Sequence, residues 1–196
     1  MKIGIINYGI GNVYSIKNMI EYLEYNCEIV TDIDNLNDYS KIILPGVGSF
    51  DAALKEIDEN LKSRIIEFNK KNKHILGICL GAQLLGKSSE EGKMKGLNLL
   101  PIVSKDFKGK GNNANIGWRE VSCTFSKKYR QCFYHIHNYY MDLITNNDRD
   151  FQIEYAFNED QKFITGVKYK NLIAVQYHPE KSNDFGKSFF KWFCEL

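Results

Sequence analysis

The sequence predicts an α/β fold: an open mixed, mainly parallel sheet flanked by helices, with an antiparallel portion in the second half. Three observations predict it. Up to residue 79, short runs rich in Ile, Val and Leu alternate with segments whose apolar residues recur at helical spacing. Beyond residue 97, one alternating run follows another across short turns. Between these two styles, the apolar run that ends at Cys79 passes at once into a helical pattern, with Gly77 and Gly81 two places before and after the cysteine.

Taken in order, residues 2–7 read as the first strand. After a glycine turn, Val13, Ile16, Met19, Ile20 and Leu23 recur at helical spacing. Residues 27–31 and 41–44 are further strands, and helical patterns run through 51–57 and 61–69. With the strand ending at Cys79 this is a βαβαβ series, which implies parallel strands and helices on both faces. In the second half, 97–107, 117–123, 131–140, 151–157, 162–169 and 172–177 all read as strands. Phe185, Phe189, Trp192 and Phe193 then lie on one side of a closing helix, a stripe expected to pack into the core.

The 196 residues suggest a single domain, 1–196, able to bury a substantial core. A formal net charge of +2, with no basic stripe interleaved with aromatics, gives no reason to expect nucleic acid; the lysines of 105–110 and 127–130 read as solvated loops. No run approaches the ~20 apolar residues of a membrane span, and Met1-Lys2 leads straight into a strand rather than a signal peptide, so a cytoplasmic protein is expected. The five cysteines, Cys27, Cys79, Cys123, Cys132 and Cys194, are odd in number and scattered, which argues against a disulfide framework and suits a working thiol.

The stretch around Cys79 has the form of a nucleophile elbow. A strand-to-helix turn this tight strains its central residue and brings backbone close, so small residues flank it. The first amides of the following helix favour an anion there. Most free cysteines are simply buried, so a thiol chemistry needs a base. Val175-Gln176-Tyr177-His178-Pro179-Glu180 supplies one: a strand carries a histidine out at its end and an acid follows two residues later.

Gly77-Ile78-Cys79-Leu80-Gly81-Ala82-Gln83 followed by His178-Pro179-Glu180 resembles the class I (triad) glutamine amidotransferases, whose fold is flavodoxin-like. Tyr8-Gly9-Ile10-Gly11-Asn12, Pro45-Gly46-Val47-Gly48-Ser49-Phe50 and His178-Pro179-Glu180-Lys181-Ser182 are similar to the glutaminase-subunit family of imidazole glycerol phosphate synthase. The resemblance spans nearly the whole chain. It implies a Cys79, His178, Glu180 triad that hydrolyses L-glutamine, with no metal or organic cofactor. It also implies a heterodimer in which ammonia passes to a synthase or cyclase (β/α)8 barrel subunit.

Further roles follow from the same resemblance. The Val47 and Leu80 amides are expected as oxyanion donors, and Gly46, Gly48, Gln83, Glu91, His137 and Asn138 as glutamine-binding residues, with Glu91 taking the α-ammonium. Asn12, Trp118 and Lys181 are expected at the partner interface. The 45–48 turn is expected to reorient when the synthase engages, which would leave the free subunit a poor glutaminase.

The sequence itself opposes three rival readings. Gly9-x-Gly11 invites a dinucleotide site, but the third glycine of that fingerprint falls at Tyr14. Cys132, His135 and His137 invite zinc, since His-x-His on a strand shares one face, yet no second cluster with zinc spacing appears. A catalytically silent scaffold is opposed by the intact Cys79, His178 and Glu180. Finally, Ala114-Asn115-Ile116-Gly117-Trp118-Arg119 departs from the family's Pro-His-Met-Gly-Trp-Asn. That departure keeps open a sister glutaminase feeding a sugar-amidating enzyme of surface polysaccharide synthesis.

Overall fold

The computed structural model describes residues 2–30, 33–107, 114–122, 125, 130–145 and 150–196. Thr31, Cys123 and the basic residues at 108, 110, 127 and 128 therefore lie outside the described residues. The first half runs β1 (Ile3–Ile6), α1 (Val13–Tyr22), β2 (Cys27–Val30), a 3-10 segment (Ile33–Asp38), β3 (Lys41–Leu44), α2 (Phe50–Glu56), α3 (Glu59–Lys70), β4 (His74–Ile78) and α4 (Leu80–Leu85). The second half adds β5 (Ser88–Ser89), β6 (Ile102–Asp106), β7 (Asn115–Val121), β8 (Gln131–His137), β9 (Tyr139–Leu143), β10 (Gln152–Asn158), β11 (Gln161–Tyr169) and β12 (Leu172–Val175). A 3-10 turn (Pro179–Lys181) and α5 (Asn183–Glu195) close the chain.

The main sheet has the order β2-β1-β3-β4-β12-β11-β9-β6-β5, with β10 also paired to β11, and β7 and β8 form a separate two-stranded sheet. Strands β2, β1, β3, β4 and β12 are parallel. Side-chain alternation divides each of them between two cores. Ile42, Leu44 and Ile75 join the helices α2 and α3 through Phe50, Leu54, Ile65 and Phe68. Ile43, Leu76 and Ile78 face α1 and α5 through Ile16, Ile20, Phe189 and Phe193. Burial on both faces is what makes β1, β3, β4 and β12 read as near-continuous apolar runs, whereas β2, at the edge, keeps Glu28 exposed.

Although β12 comes from the far end of the sequence, it lies parallel to β4, with Val175 opposite Ile78. The carboxyl ends of these two strands are thus neighbours, and the residues just beyond them meet at one edge of the sheet. Ligands of open α/β sheets bind at this edge.

Three sequence expectations are corrected. The run 131–140 is two strands in two sheets: β8 pairs with β7, the chain bends at Asn138, and β9 pairs with β6 and β11. The Asn138 carbonyl accepts the Phe107 N–H at 3.1 Å, which fixes the bend against the end of β6. The run 97–107 becomes strand only at Ile102, because its first residues cap α4: Leu97 N–H donates to Leu84 O, and Leu99 and Leu100 N–H to Leu85 O. Carbonyls left open by the end of a short helix are satisfied in this way. On α5 the stripe is Phe189, Phe190 and Phe193, each 0% exposed, while Phe185 is 37% exposed.

Candidate active site

Cys79 joins β4 to α4 with φ +53° and ψ −109°, a backbone conformation that costs a non-glycine residue stability and is held only where its surroundings dictate it. Its N–H donates to Val175 O at 2.7 Å and its carbonyl accepts from Ala82 and Gln83, so both sides of the elbow are pinned. The flanking glycines are required by contact. A Cβ on Gly77 would sit 2.6 Å from Gly81 O, and one on Gly81 would sit 1.9 Å from Leu44 O at the end of β3. Leu80 N–H, at the head of α4, donates to no acceptor among the described residues.

His178 stands three residues beyond β12. Its N–H donates to Tyr134 O at 2.9 Å, and its carbonyl accepts from the Ser182 hydroxyl at 2.6 Å. The imidazole Nδ1 lies 2.6 Å from Glu180 Oε1, both side chains being almost fully buried at 1% and 2% exposure. Nδ1 thereby donates to the carboxylate, and Nε2, buried, has no hydrogen-bond partner among the described residues, the Cys79 sulfur included. Burial alone would depress this imidazole, but its interactions with the nearby Cys79 and with the Glu180 carboxylate outweigh it and raise its pKa to about 10. The Gln176 side-chain Nε2 donates to the Cys79 sulfur at 3.6 Å.

A cavity of about 460 Å³ brings these groups together. The elbow contributes Cys79, Leu80 and Gln83, and the turn after β3 contributes Val47 and Gly48. Glu91, the bend Ile136, His137, Asn138 and Tyr139, and the pair His178 and Lys181 complete the lining. The sequence singles out neither Ile136 nor Tyr139; their place next to His137 and Asn138 is its only signal for them. Lys181, expected at the partner interface, is exposed but lines the cavity. Gly46 does not line it: a Cβ there would lie 2.6 Å from Leu80 Cβ and 2.8 Å from Gly81 N, so its place is against the elbow.

The 45–48 turn touches the first loop of the chain. Tyr8 OH donates to Pro45 O, and Gly11, at φ +140°, leaves room for the Pro45 ring, which would lie 3.2 Å from an added Cβ. Val47 N–H donates to no acceptor among the described residues. Glu91 accepts the Phe50 N–H at the head of α2 at 3.1 Å, and burial raises its carboxyl pKa against that hydrogen bond. Gln83, 4% exposed rather than on a helix surface, accepts from the Ser89 hydroxyl at 3.4 Å.

His137 Nδ1 lies 2.7 Å from Tyr139 O and its Nε2 3.0 Å from Asn115 Nδ2. A carbonyl can only accept and an amide NH₂ can only donate, so Nδ1 carries the proton and the ring is neutral. Burial pushes its pKa well below the usual histidine range. His135 is buried to the same end, its pKa lowered to about 3, with its nitrogens on Phe133 O and Thr165 Oγ1. Among the described residues no group of three His, Cys, Asp or Glu side chains is placed to hold a metal ion. Asn115 in turn accepts from Arg119 Nε at 2.9 Å, so the departing segment touches the cavity wall. Asn12, half-buried ahead of α1, and Trp118, 44% exposed and edge-on to Tyr134, lie outside the cavity.

Comparison with known proteins agrees with this geometry. Residues 4–195 match the family model "Glutamine amidotransferase class-I". The "Imidazole glycerol phosphate synthase subunit HisH 2" of Methanococcus maripaludis is 36% identical, covering 98% of both chains. The protein of the same name from Pseudomonas aeruginosa is 33% identical, again over 98% of both chains. Among solved structures, a "glutamine amidotransferase" superposes with a TM-score of 0.80 at 16% identity, covering 98% of this chain and 97% of that one. PurLQS from Thermotoga maritima gives 0.73 at 20% identity, covering 99% and 97%; at these identities both speak for the fold alone. With a strained cysteine elbow, a histidine and acid from the neighbouring strand, and full-length relatives at this identity, the chain belongs to the class I glutamine amidotransferases and, within them, to the HisH subunits of imidazole glycerol phosphate synthase.

Proposed function

We propose that the chain is a glutaminase subunit that hydrolyses L-glutamine to glutamate and passes the ammonia to a (β/α)8 barrel partner making imidazole glycerol phosphate. The observation that carries this reading is the delivery of Cys79 and His178 into one cavity by adjacent parallel strands, with Glu180 buried behind His178 at 2.6 Å. The Cys79 thiolate attacks the side-chain carboxamide, and a sulfur–carbon bond forms. The carbon–nitrogen bond then breaks as the His178 imidazolium gives its proton to the departing ammonia. Water, deprotonated by His178, hydrolyses the thioester and restores the thiol. Glu180 holds the imidazole in the tautomer that leaves Nε2 facing the chemistry. These steps use no metal or organic cofactor.

The oxyanion takes its hydrogen bonds from Leu80 N–H and, once the turn is suitably oriented, from Val47 N–H. Glu91 receives the α-ammonium of glutamine, Gln83 braces the bound amide, and the His137–Asn138 bend holds the carboxylate end, with Gly48 leaving room. Gly46 serves the site by letting the turn approach the elbow. Asn12, Trp118 and Lys181 form part of the partner surface, and the contacts of Tyr8 and Gly11 with Pro45 connect that surface to the oxyanion turn. Residues 1–196 act as a single domain in the cytoplasm; no helix among the described residues is long and apolar enough to cross a membrane.

The altered 114–119 segment supports a second reading, in which the same chemistry feeds a sugar-amidating enzyme. Glutamine turnover is to be measured for the chain mixed with its barrel partner, beside Cys79→Ala. Turnover that depends on both Cys79 and the barrel supports the first reading. Equal inertness of both proteins would contradict the enzyme assignment, and copurification with a sugar amidotransferase would favour the second reading.

A further inference from the structure

We infer that Gln176 is a further catalytic residue, whose side-chain amide holds the Cys79 sulfur and favours its thiolate over its thiol form. The inference rests on the thiol mechanism proposed above and extends it to a residue that mechanism does not require. Gln176 follows β12 directly, and its backbone is fixed by donation from its N–H to Thr165 O at 2.8 Å. Its neighbours Val175 and Tyr177 are buried in the apolar core, so alternation places Gln176 and His178 together on the other side of the chain. One strand end thus presents both an amide and an imidazole to the sulfur at the end of the next strand.

The Gln176 side chain is wholly buried, its Nε2 donates to Cys79 Sγ at 3.6 Å, and its Oε1 has no partner among the described residues. Burying an amide with one end unpaired is unfavourable, and a leucine would fill the same space without that cost. The amide's one hydrogen bond goes to the nucleophile, which gives it a reason to be there. A hydrogen bond to an ionised acceptor is roughly twice as strong as one to a neutral acceptor. The amide therefore stabilises sulfur most when His178 has taken its proton, and least once sulfur has become part of the thioester. The gain is in the fraction of sulfur held ready as thiolate, which outweighs the smaller loss in that thiolate's intrinsic nucleophilicity, and no proton donor or acceptor is added to the reaction.

The test uses the full chain without a partner: alkylation by iodoacetamide across pH 5 to 10, read on the Cys79 peptide by mass spectrometry, with Cys79→Ala as blank. For Gln176→Leu the midpoint of the pH–rate curve should move up by about one pH unit, which slows alkylation below the midpoint about tenfold, while the high-pH plateau stays at the wild-type rate. Gln176→Glu, nearly isosteric, places a carboxylate beside the sulfur and should move the midpoint further. A wild-type profile in either folded variant would overturn the inference; should the leucine variant fail to fold, the glutamate variant decides alone. The two claims fail separately. A normal profile in the Gln176 variants removes this inference and leaves the thiol mechanism standing, whereas glutamine turnover by Cys79→Ala removes the mechanism itself.

Discussion

His178 and His137 reach the same cavity from two different sheets, both are buried, and they are tuned in opposite directions. His178 has a carboxylate at 2.6 Å and a thiol nearby, and its pKa is raised to about 10. His137 has a carbonyl at 2.7 Å and an amide at 3.0 Å, and burial drives its pKa well down. Burial sets the penalty for charge in both; the partner decides whether that penalty is overcome. One imidazole is therefore equipped to carry a proton and the other to keep a wall of the cavity in place.

The largest test of this contrast is to exchange the roles. His178→Ala should lower glutamine turnover in the barrel complex about 10³ to 10⁴-fold, whereas His137→Gln should chiefly raise KM and leave kcat within about tenfold. Steady-state kinetics on both variants would break the comparison if the two losses were alike. Next in size is the elbow. Gly81→Ala places a methyl 1.9 Å from Leu44 O and should cost about 3 kcal/mol or more in urea unfolding. Gly9→Ala, whose added carbon has 3.9 Å to its nearest neighbour, pays only for its φ of +79° and should cost about 1 kcal/mol.

The two kinds of histidine also have opposite pH signatures. His135, its pKa lowered to about 3, stays neutral in the fold while the unfolded chain takes up a proton below about pH 6.5. Stability should thus fall as pH drops from about 6.5 towards 3, by up to about 1.4 kcal/mol per pH unit from this one residue. The raised pKa of His178 works the other way: its contribution is full below about pH 6.5 and fades as pH rises through about 10. Urea titrations of His135→Gln should show a flatter acid limb, and an unchanged slope there would count against the assignment. The smallest effect is expected from Arg119→Ala, which removes the donor to Asn115 Oδ1 and loosens the amide that holds His137. KM for glutamine should rise about 2- to 5-fold with kcat preserved.

Local pattern was enough to locate the parts of the site whose geometry is dictated by the chain's own neighbours. The glycines around Cys79 announce a close approach, and the approach is there, to Leu44 O and within the elbow itself. The acid two residues after His178 announces a hydrogen-bonded pair, and it is found at 2.6 Å. What stayed illegible depended on partners distant in sequence. Nothing in 131–140 tells that the chain changes sheets at Asn138, since each half alternates equally well and only β7 and β6 decide which edge it joins. The apolar residues of 97–101 pattern as strand but are buried by capping α4. Nothing in the sequence ties the departing residues Arg119 and Asn115 to the site; their link to His137 exists only because β7 pairs with β8.

The central claim is that glutamine is opened by a sulfur on a strained elbow, helped by an imidazole from the adjacent strand. Its most direct test is acid quenching of the barrel complex during turnover, followed by mass spectrometry of the peptide that contains Cys79. The account predicts a glutamyl group attached to Cys79, accumulating when His178 is replaced by a residue that still permits slow acylation and absent in Cys79→Ala. Turnover at the normal rate with no acyl group on Cys79 at any quench time, and with activity surviving in Cys79→Ala, would contradict it.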